Sequence, residues 1–297
     1  MKFLMKSREA DSQEKSKKPA KEKSKDKSKE KKKKDKHRDF DKYWYYNKSV
    51  QSADVDVVFF RKTFNELRGH DPKVFREDFC GTFKLSCEWV KLNENFRSIG
   101  VDLDLEPIDY GKAHYLPKLS DDQQKRVEIL QGNVLDTNLP KADIIAACNF
   151  SYFIFKQRSM LKQYFANCKD ALNSEGLFVL DIFGGSECYE PNEEETEHDD
   201  FSYFWDQDSY DPVTNEATFY IHFKPKGQKK VKKAFTYDWR LYSIPEIKDM
   251  LEDVGFQNVH VYWEGTDEDG EGDGEFQRVT KGEDCESWVA YIVAEKP

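Results

Sequence analysis

The sequence predicts an α/β fold, a doubly wound parallel sheet with helices on both faces. Short apolar strands alternate five times with helical stretches between Val74 and Phe183. Within that run, residues Lys73 to Asp104, KVFREDFCGTFKLSCEWVKLNENFRSIGVDLD, read as strand, tight turn, helix and strand. After Gly184-Gly185 the pattern changes, and two alternating strands joined by PKGQKK signal an inserted antiparallel hairpin.

Taken in order, ordered structure is expected to begin at Phe40. Two helices follow, the second from about Ala53 to Leu67, with Val57, Phe60, Phe64 and Leu67 at helical spacing and a stop at Gly69. Tyr46 and Gln51 lie on the connection near the expected mouth of the sheet. The first strand, from Val74, ends in the acids Glu77 and Asp78. A turn around Gly81, a helix over 82–95 and a strand ending at Asp102 come next. A helix near 105–116 leads to a third strand (127–130) that exits at Gly132-Asn133. The fourth strand (142–148) ends in Asn149-Phe150-Ser151-Tyr152. A helix over 156–172 precedes a fifth strand, LFVLDIF. The acidic stretch 186–204 reads as irregular, and EATFYIHF and KKAFTYDWRLY form the hairpin. Ser243 and Glu246 make a capping box with Pro245 early in the next helix. NVHVYWE and SWVAYIVAE then read as a final pair of strands flanking an acidic loop.

Composition divides the chain. Charged residues are 35% and hydrophobic ones 38% of 297 residues. Residues 1–38 hold 17 Lys/Arg against 7 Asp/Glu, a net of +10; with −10 overall, the remainder carries −20. Such a Lys-rich tail cannot bury enough apolar surface to fold and is expected to be disordered. It can contact nucleic acid or other acidic surfaces nonspecifically, or serve as a nuclear-import signal in a eukaryotic host. Six scattered cysteines without CxxC pairs or zinc-ligand spacing suit reduced thiols in a cytoplasmic protein, and no metal is expected. No apolar run reaches membrane-spanning length. In the acidic loop Asp267, Asp269, Glu271 and Asp273 alternate around Gly272 as in a calcium loop. Arg278 at the twelfth place and flanking strands favour a solvated hairpin tip. The organisation is therefore a tail (1–38), two packing helices (39–72) and a main domain (73–297) with an insertion at about 186–240.

The unit at Lys73–Asp104 has the form of a nucleoside cradle. Its turn brings backbone close to a ligand, and an acid about twenty residues past the glycine accepts from ribose hydroxyls. With REDFCGT, GVDLD, the Gly132-Asn133 exit and the helix–Gly255-Phe256–strand ending, the chain from Phe40 onward resembles a class I S-adenosylmethionine-dependent methyltransferase, in a bacterial-type subgroup. The resemblance implies a Rossmann-like, seven-stranded sheet with antiparallel last strands and S-adenosylmethionine as cofactor. It places Glu77 near the methionine amino end, Gly81 at the centre of the turn with Cys80 as the small residue before it, and Asp102 on the ribose, with Asp104 as its alternate. Asn133 and Val134 bracket adenine, and Asn149 faces the methyl donor. Phe79 and Phe83 stand where the family carries glycine, which implies a turn held by aromatic packing and two positions that do not require glycine. Cys80 reads as a buried, inert thiol.

Methyl transfer from a sulfonium is an in-line displacement that requires alignment and exclusion of water rather than a catalytic dyad. Asn149 and Tyr152 are the expected positioning residues. Acceptor candidates are Phe150, Ser151, Tyr152, Phe183, Trp205, Tyr237, Trp239 and Arg240, with Tyr152, Tyr237, Trp239 and Arg240 foremost. A small-molecule acceptor is favoured. Asn149 and Tyr152 are also the outer residues of the N-P-P-Y signature of enzymes that methylate amines in nucleic acid or protein, without its prolines. A noncatalytic interaction protein on the same fold is a further alternative. An NAD-dependent oxidoreductase would need a GxGxxG turn that FCGTFK lacks.

Overall fold

The computed structural model describes residues 40–266 and 272–297; the Lys-rich tail and positions 267, 269 and 271 of the calcium-like loop lie outside them. Among the described residues no helix is long and apolar enough to cross a membrane.

The chain opens with α1 (Lys42–Ser49) and α2 (Ala53–Arg68), and Gly69 ends α2 in the left-handed conformation (φ 77°). There follow β1 (Val74–Asp78), α3 (Lys84–Trp89), β2 (Arg97–Asp102), α4 (Leu105–His114), α5 (Asp121–Gln124), β3 (Val127–Gln131), β4 (Ala142–Ala147), α6 (Arg158–Ala171) and β5 (Leu172–Gly184). Four strands come next: β6 (Asn192–Glu197), β7 (Phe201–Asp211), β8 (Glu216–Pro225) and β9 (Val231–Arg240). The chain closes with α7 (Ile244–Asp253), β10 (Gln257–Thr266), β11 (Gly272–Val279) and β12 (Trp288–Glu295). The capping box of Ser243 and Glu246 starts α7 as expected.

The main sheet has eight strands in the order β11-β10-β12-β5-β4-β1-β2-β3. Strands β1 to β5 are mutually parallel, and β12 is antiparallel to both β5 and β10. The order reverses between β1 and β4, so the C-terminal ends of those strands open a crevice where ligands bind in such sheets. One face is covered by α2 and α3 through Phe60, Phe64, Leu85 and Trp89. The other is covered by α6 and α7 through Leu161, Phe165, Met250 and Leu251.

Two expectations need correction. The stretch 186–204, read as irregular because it is acidic, contains β6 and the start of β7, so the insertion is a four-stranded sheet, β6-β7-β8-β9, rather than a hairpin. Its acids alternate with the strand period: Glu193, Glu195 and Glu197 are exposed, while Glu194 and Thr196 turn inward. The acidic loop joins β10 to an additional edge strand, β11, and β12 inserts between β10 and β5. The last strands are therefore three, and the main sheet has eight strands instead of seven.

The second sheet shares the main core through Phe201, Tyr203, Trp205, Phe219 and Phe223. Helix α1 bridges the two. Asp41 caps it and also accepts from the Tyr110 hydroxyl of α4 at 2.9 Å, while Tyr45 packs on Phe201 and Phe223.

Candidate functional site

Strand β1 distributes its polar side chains by period two. Arg76 and Asp78 share one face as a buried ion pair, Nε to Oδ1 2.8 Å and Nη2 to Oδ2 3.1 Å, and the Tyr164 hydroxyl of α6 donates to Asp78 at 2.9 Å. Glu77 faces α3, where Oε2 accepts from the Ser86 amide at 2.8 Å and its hydroxyl at 2.7 Å. Burial pushes the Glu77 carboxyl up to about 8.

The turn after β1 has left-handed backbone at every second residue: Phe79 (φ 56°), Gly81 (φ 51°) and Phe83 (φ 47°). Only glycine adopts this region freely; a phenylalanine there carries strain on the order of 1 kcal/mol or more. The two outer positions therefore do have the backbone for which glycine is suited, contrary to the sequence expectation. Packing offsets the strain. Phe83 is fully buried, and its ring lies where a Cβ on Gly111 of α4 would come within 2.4 Å. Phe79 packs on Phe155 and Tyr164.

The turn is laced to the end of β2. The Gly81 amide donates to Asp102 Oδ2 at 2.7 Å, Cys80 N donates to Val101 O at 3.0 Å, and the Asp104 amide donates to Asp102 Oδ1 at 2.9 Å. A carboxylate offers about four acceptor directions, so Asp102 retains two for ribose hydroxyls. Asp104 also serves as a cap: its side chain starts α4 by accepting from the Glu106 amide at 2.9 Å. Cys80 is buried with its thiol pushed well up by burial. At the β3 exit, Gly132 N donates to Asp102 O at 2.9 Å. Asn133 is exposed, with Oδ1 accepting from the Leu135 amide at 3.0 Å, and Val134 is buried in the core.

Beyond β4, Asn149 and Phe150 are both left-handed (φ 56°) and aim their amides at Asp181 of β5, at 2.6 and 2.9 Å. Burial raises the Asp181 carboxyl to about 7. Asp181 was not singled out in the sequence, where it reads as one polar residue in an apolar strand. Tyr152 is fully buried and donates to the Asp181 backbone carbonyl at 2.9 Å. It therefore cannot touch an acceptor, which corrects both roles expected of it.

Between these strand ends and the second sheet lies a chamber of about 710 Å³. Asn149, Phe150 and Asp181 contribute to one wall, and Tyr203, Trp205, Tyr237 and Trp239 to the opposite one. Tyr46 of α1 also lines it and shares a hydrogen bond with Tyr237. Arg240 does not line it. One residue past Trp239 on the same strand, it points away, donates to Lys156 O at 3.1 Å and stacks on Tyr242. Phe183 is buried behind Phe150, and Ser151 donates to Cys148 O at 2.8 Å. The far wall, with Glu264, Glu286 and Trp288, was not anticipated. Tyr203 was discoverable, because alternation in FSYFW puts it on the face of Trp205.

Among the described residues one group brings metal-type donors within 4.8 Å: Glu193, Asp206 and His222 of the second sheet. The Lys233 amide donates to His222 Nδ1 at 2.8 Å, which places the ring proton on Nε2, facing Asp206 at 2.9 Å. Lys230 Nζ sits 2.6 Å from Glu193. With no ring lone pair to offer and an ammonium in place, the group is a hydrogen-bonded cluster rather than a metal site.

No protein-family model matches the chain, and no curated protein does. Solved structures do. An S-adenosylmethionine-dependent methyltransferase from Clostridium acetobutylicum superposes with a TM-score of 0.59 at 18% identity, over 84% of this chain and 96% of its own. The S-adenosylmethionine-bound amino pentose methyltransferase of calicheamicin biosynthesis from Micromonospora echinaspora gives 0.61 at 12%, over 88% and 99%. A sugar N-methyltransferase from Streptoalloteichus gives 0.58 at 12%, over 88% and 94%. At such identities the likeness is one of architecture, and the architecture is that of the class I S-adenosylmethionine-dependent methyltransferases.

Proposed function

We propose that this chain transfers a methyl group from S-adenosylmethionine to a small-molecule acceptor. The observation that carries the reading is the Phe79–Phe83 turn laced to Asp102 at the β1 and β2 ends of a sheet whose β4 and β5 ends, at Asn149 and Asp181, open into the chamber. The residues fit the cofactor: Asp102 keeps acceptor capacity for ribose and Gly81 presents open backbone with nothing within 4 Å of its Cβ direction, while Glu77, buried and held by Ser86, braces the turn from behind. Asn133 and Asn149 would flank the adenine and the methyl. The cofactor supplies a methyl already activated on sulfur. The chain's own part is to hold the acceptor in line with the methyl and shield it from water, for which the aromatic wall of the chamber is suited.

The structural neighbours support this reading, two of them being named as enzymes acting on an amino pentose and a sugar. The chamber volume falls in the range of small-molecule sites, roughly 300–1,000 Å³. Methylation of amines in nucleic acid or protein loses its main sequence support, because Tyr152 is buried.

Calorimetry is expected to give binding of S-adenosylmethionine and S-adenosylhomocysteine in the micromolar range. Asp102→Ala and Gly81→Arg should weaken it sharply. Heat for NAD with none for either of those ligands would overturn the proposal. Asp102→Ala leaving both activity and partner binding unchanged would favour an interaction protein on this fold.

A further inference from the structure

The chamber wall is charged with one sign only. Half-buried Glu187, Glu194 and Glu264 and exposed Glu195, Glu283 and Glu286 line it together with Asp181. No Lys, Arg or His lines it among the described residues. Carboxylates gathered around one partly sheltered space repel one another and any anion that enters, and a cation relieves that repulsion. Burial and the neighbouring Asp273 already push the Glu264 carboxyl up to about 7.

The remaining wall offers π faces. Trp239 lies 4.4 Å from Tyr237 and 6.2 Å from Trp205, centroid to centroid. Such faces attract ammonium groups by roughly 0.5–2 kcal/mol each, more when water is excluded. Glu194 is the register partner of Trp205 across β6 and β7, so a carboxylate and an indole stand side by side on one face. A metal ion would require these acids to converge. They do not: the one described group with donors within 4.8 Å is the Glu193 cluster elsewhere. Acids spread around an aromatic cavity suit an extended organic cation.

We infer that the acceptor is a small organic amine, taken into the chamber as its ammonium and methylated on nitrogen. This rests on the methyltransferase reading and names the acceptor class for the same site. The ammonium first loses a proton to water. The freed nitrogen lone pair then forms the N–CH3 bond as the C–S bond breaks, its electron pair staying on sulfur and the positive charge passing to nitrogen.

The test uses the full chain with glucosamine, glucose and gluconate, matched in size but cationic, neutral and anionic, and with spermidine as a longer amine. S-adenosylhomocysteine formation is followed by mass spectrometry. Turnover is expected with one or both amines and neither of the others. Glu194→Gln and Glu264→Gln should each raise KM for the amine about tenfold or more, with kcat and S-adenosylhomocysteine affinity largely kept. Glucose or gluconate turning over as fast as the amines, or variants with unchanged KM, would overturn the inference. If none of the four turns over, calorimetry on the S-adenosylhomocysteine-loaded protein decides. Amine binding weakened by both variants supports the inference, and no heat with glucosamine or spermidine overturns it. Failure of the broader proposal is read separately, as absence of S-adenosylhomocysteine binding.

Discussion

At the ends of β1 to β3 the backbone makes the site, whereas between β4, β5 and the second sheet side chains from distant segments make it. On the first side, three left-handed residues and the amides of Gly81 and Asp104 converge on Asp102. These parts lie within 26 residues of one another in sequence, from Phe79 to Asp104. On the second side, Tyr46, Trp205, Tyr237, Glu264 and Trp288 come from five separate elements. A cofactor shared by many enzymes calls for one local geometry, while an acceptor pocket is assembled by tertiary structure. The first can be read as a motif; the second requires the fold.

Both sides keep buried acids, and the largest expected effect is on them together. Glu77 on the cofactor side is raised to about 8, and Asp181 on the chamber wall and Asp56 of α2, which accepts from the Tyr291 hydroxyl at 3.0 Å, to about 7, each chiefly by burial. A carboxyl whose folded pKa lies above its unfolded one holds its proton more tightly when folded. Its contribution to stability is complete below the unfolded pKa and is lost as pH rises toward 7 to 8. Urea unfolding should therefore show stability falling between about pH 5 and pH 8. Glu77→Gln should flatten that slope, and a slope unchanged in this variant would show that Glu77 ionises freely in the folded protein.

The foundation under the cofactor side is the Arg76–Asp78 pair, both residues about 1% exposed. Asp78→Ala leaves a buried guanidinium without its carboxylate and the Tyr164 hydroxyl without an acceptor. The expected loss is about 3–5 kcal/mol, measured as a shift of the urea midpoint. A loss below about 1 kcal/mol would mean that Arg76 finds water or the Pro140 carbonyl, 3.2 Å away, sufficient.

The corresponding foundation on the acceptor side is Asp181, which holds the amides of Asn149 and Phe150. Asp181→Ala removes their acceptor, with an expected loss of about 1–3 kcal/mol for each donor left buried. Asp181→Asn, which keeps one acceptor oxygen, should recover part of it. S-adenosylhomocysteine affinity should change less than in Asp102→Ala; an equal loss would show that the two sides are one cooperative unit.

Specific residues show why one side was legible and the other was not. The strand ends at Asp78, Asp102 and Gly132 follow from apolar runs and punctuation, and the core of α2 follows from helical spacing. The left-handed backbone at Phe79 and Phe83 was hidden, because phenylalanine gives no sign of positive φ. Tyr152 was misassigned because sequence does not reveal that its hydroxyl reaches a carbonyl under β5. Arg240 was grouped with Trp239 by adjacency, although the period of a strand puts neighbours on opposite faces. The stretch that forms β6 reads as irregular because all six of its residues, NEEETE, are polar and five are acids or amides; pairing with β7 orders it.

The smallest expected effect concerns the Lys-rich tail, whose charge of +10 opposes the −20 of the rest. Both sides of the site are closed by groups from Phe40 onward, among them Tyr46 on the chamber and Asp41 tied to Tyr110 on α4. Deletion of residues 1–38 should then leave S-adenosylhomocysteine affinity unchanged within error by calorimetry. Attraction between tail and body is screened beyond about 8 Å at physiological ionic strength, so any residual effect should appear at low salt and vanish as salt is raised. A large loss of affinity that persists at high salt would mean that the tail contributes contacts to the cofactor side, and that this side is less local than the Phe79–Asp104 segment makes it.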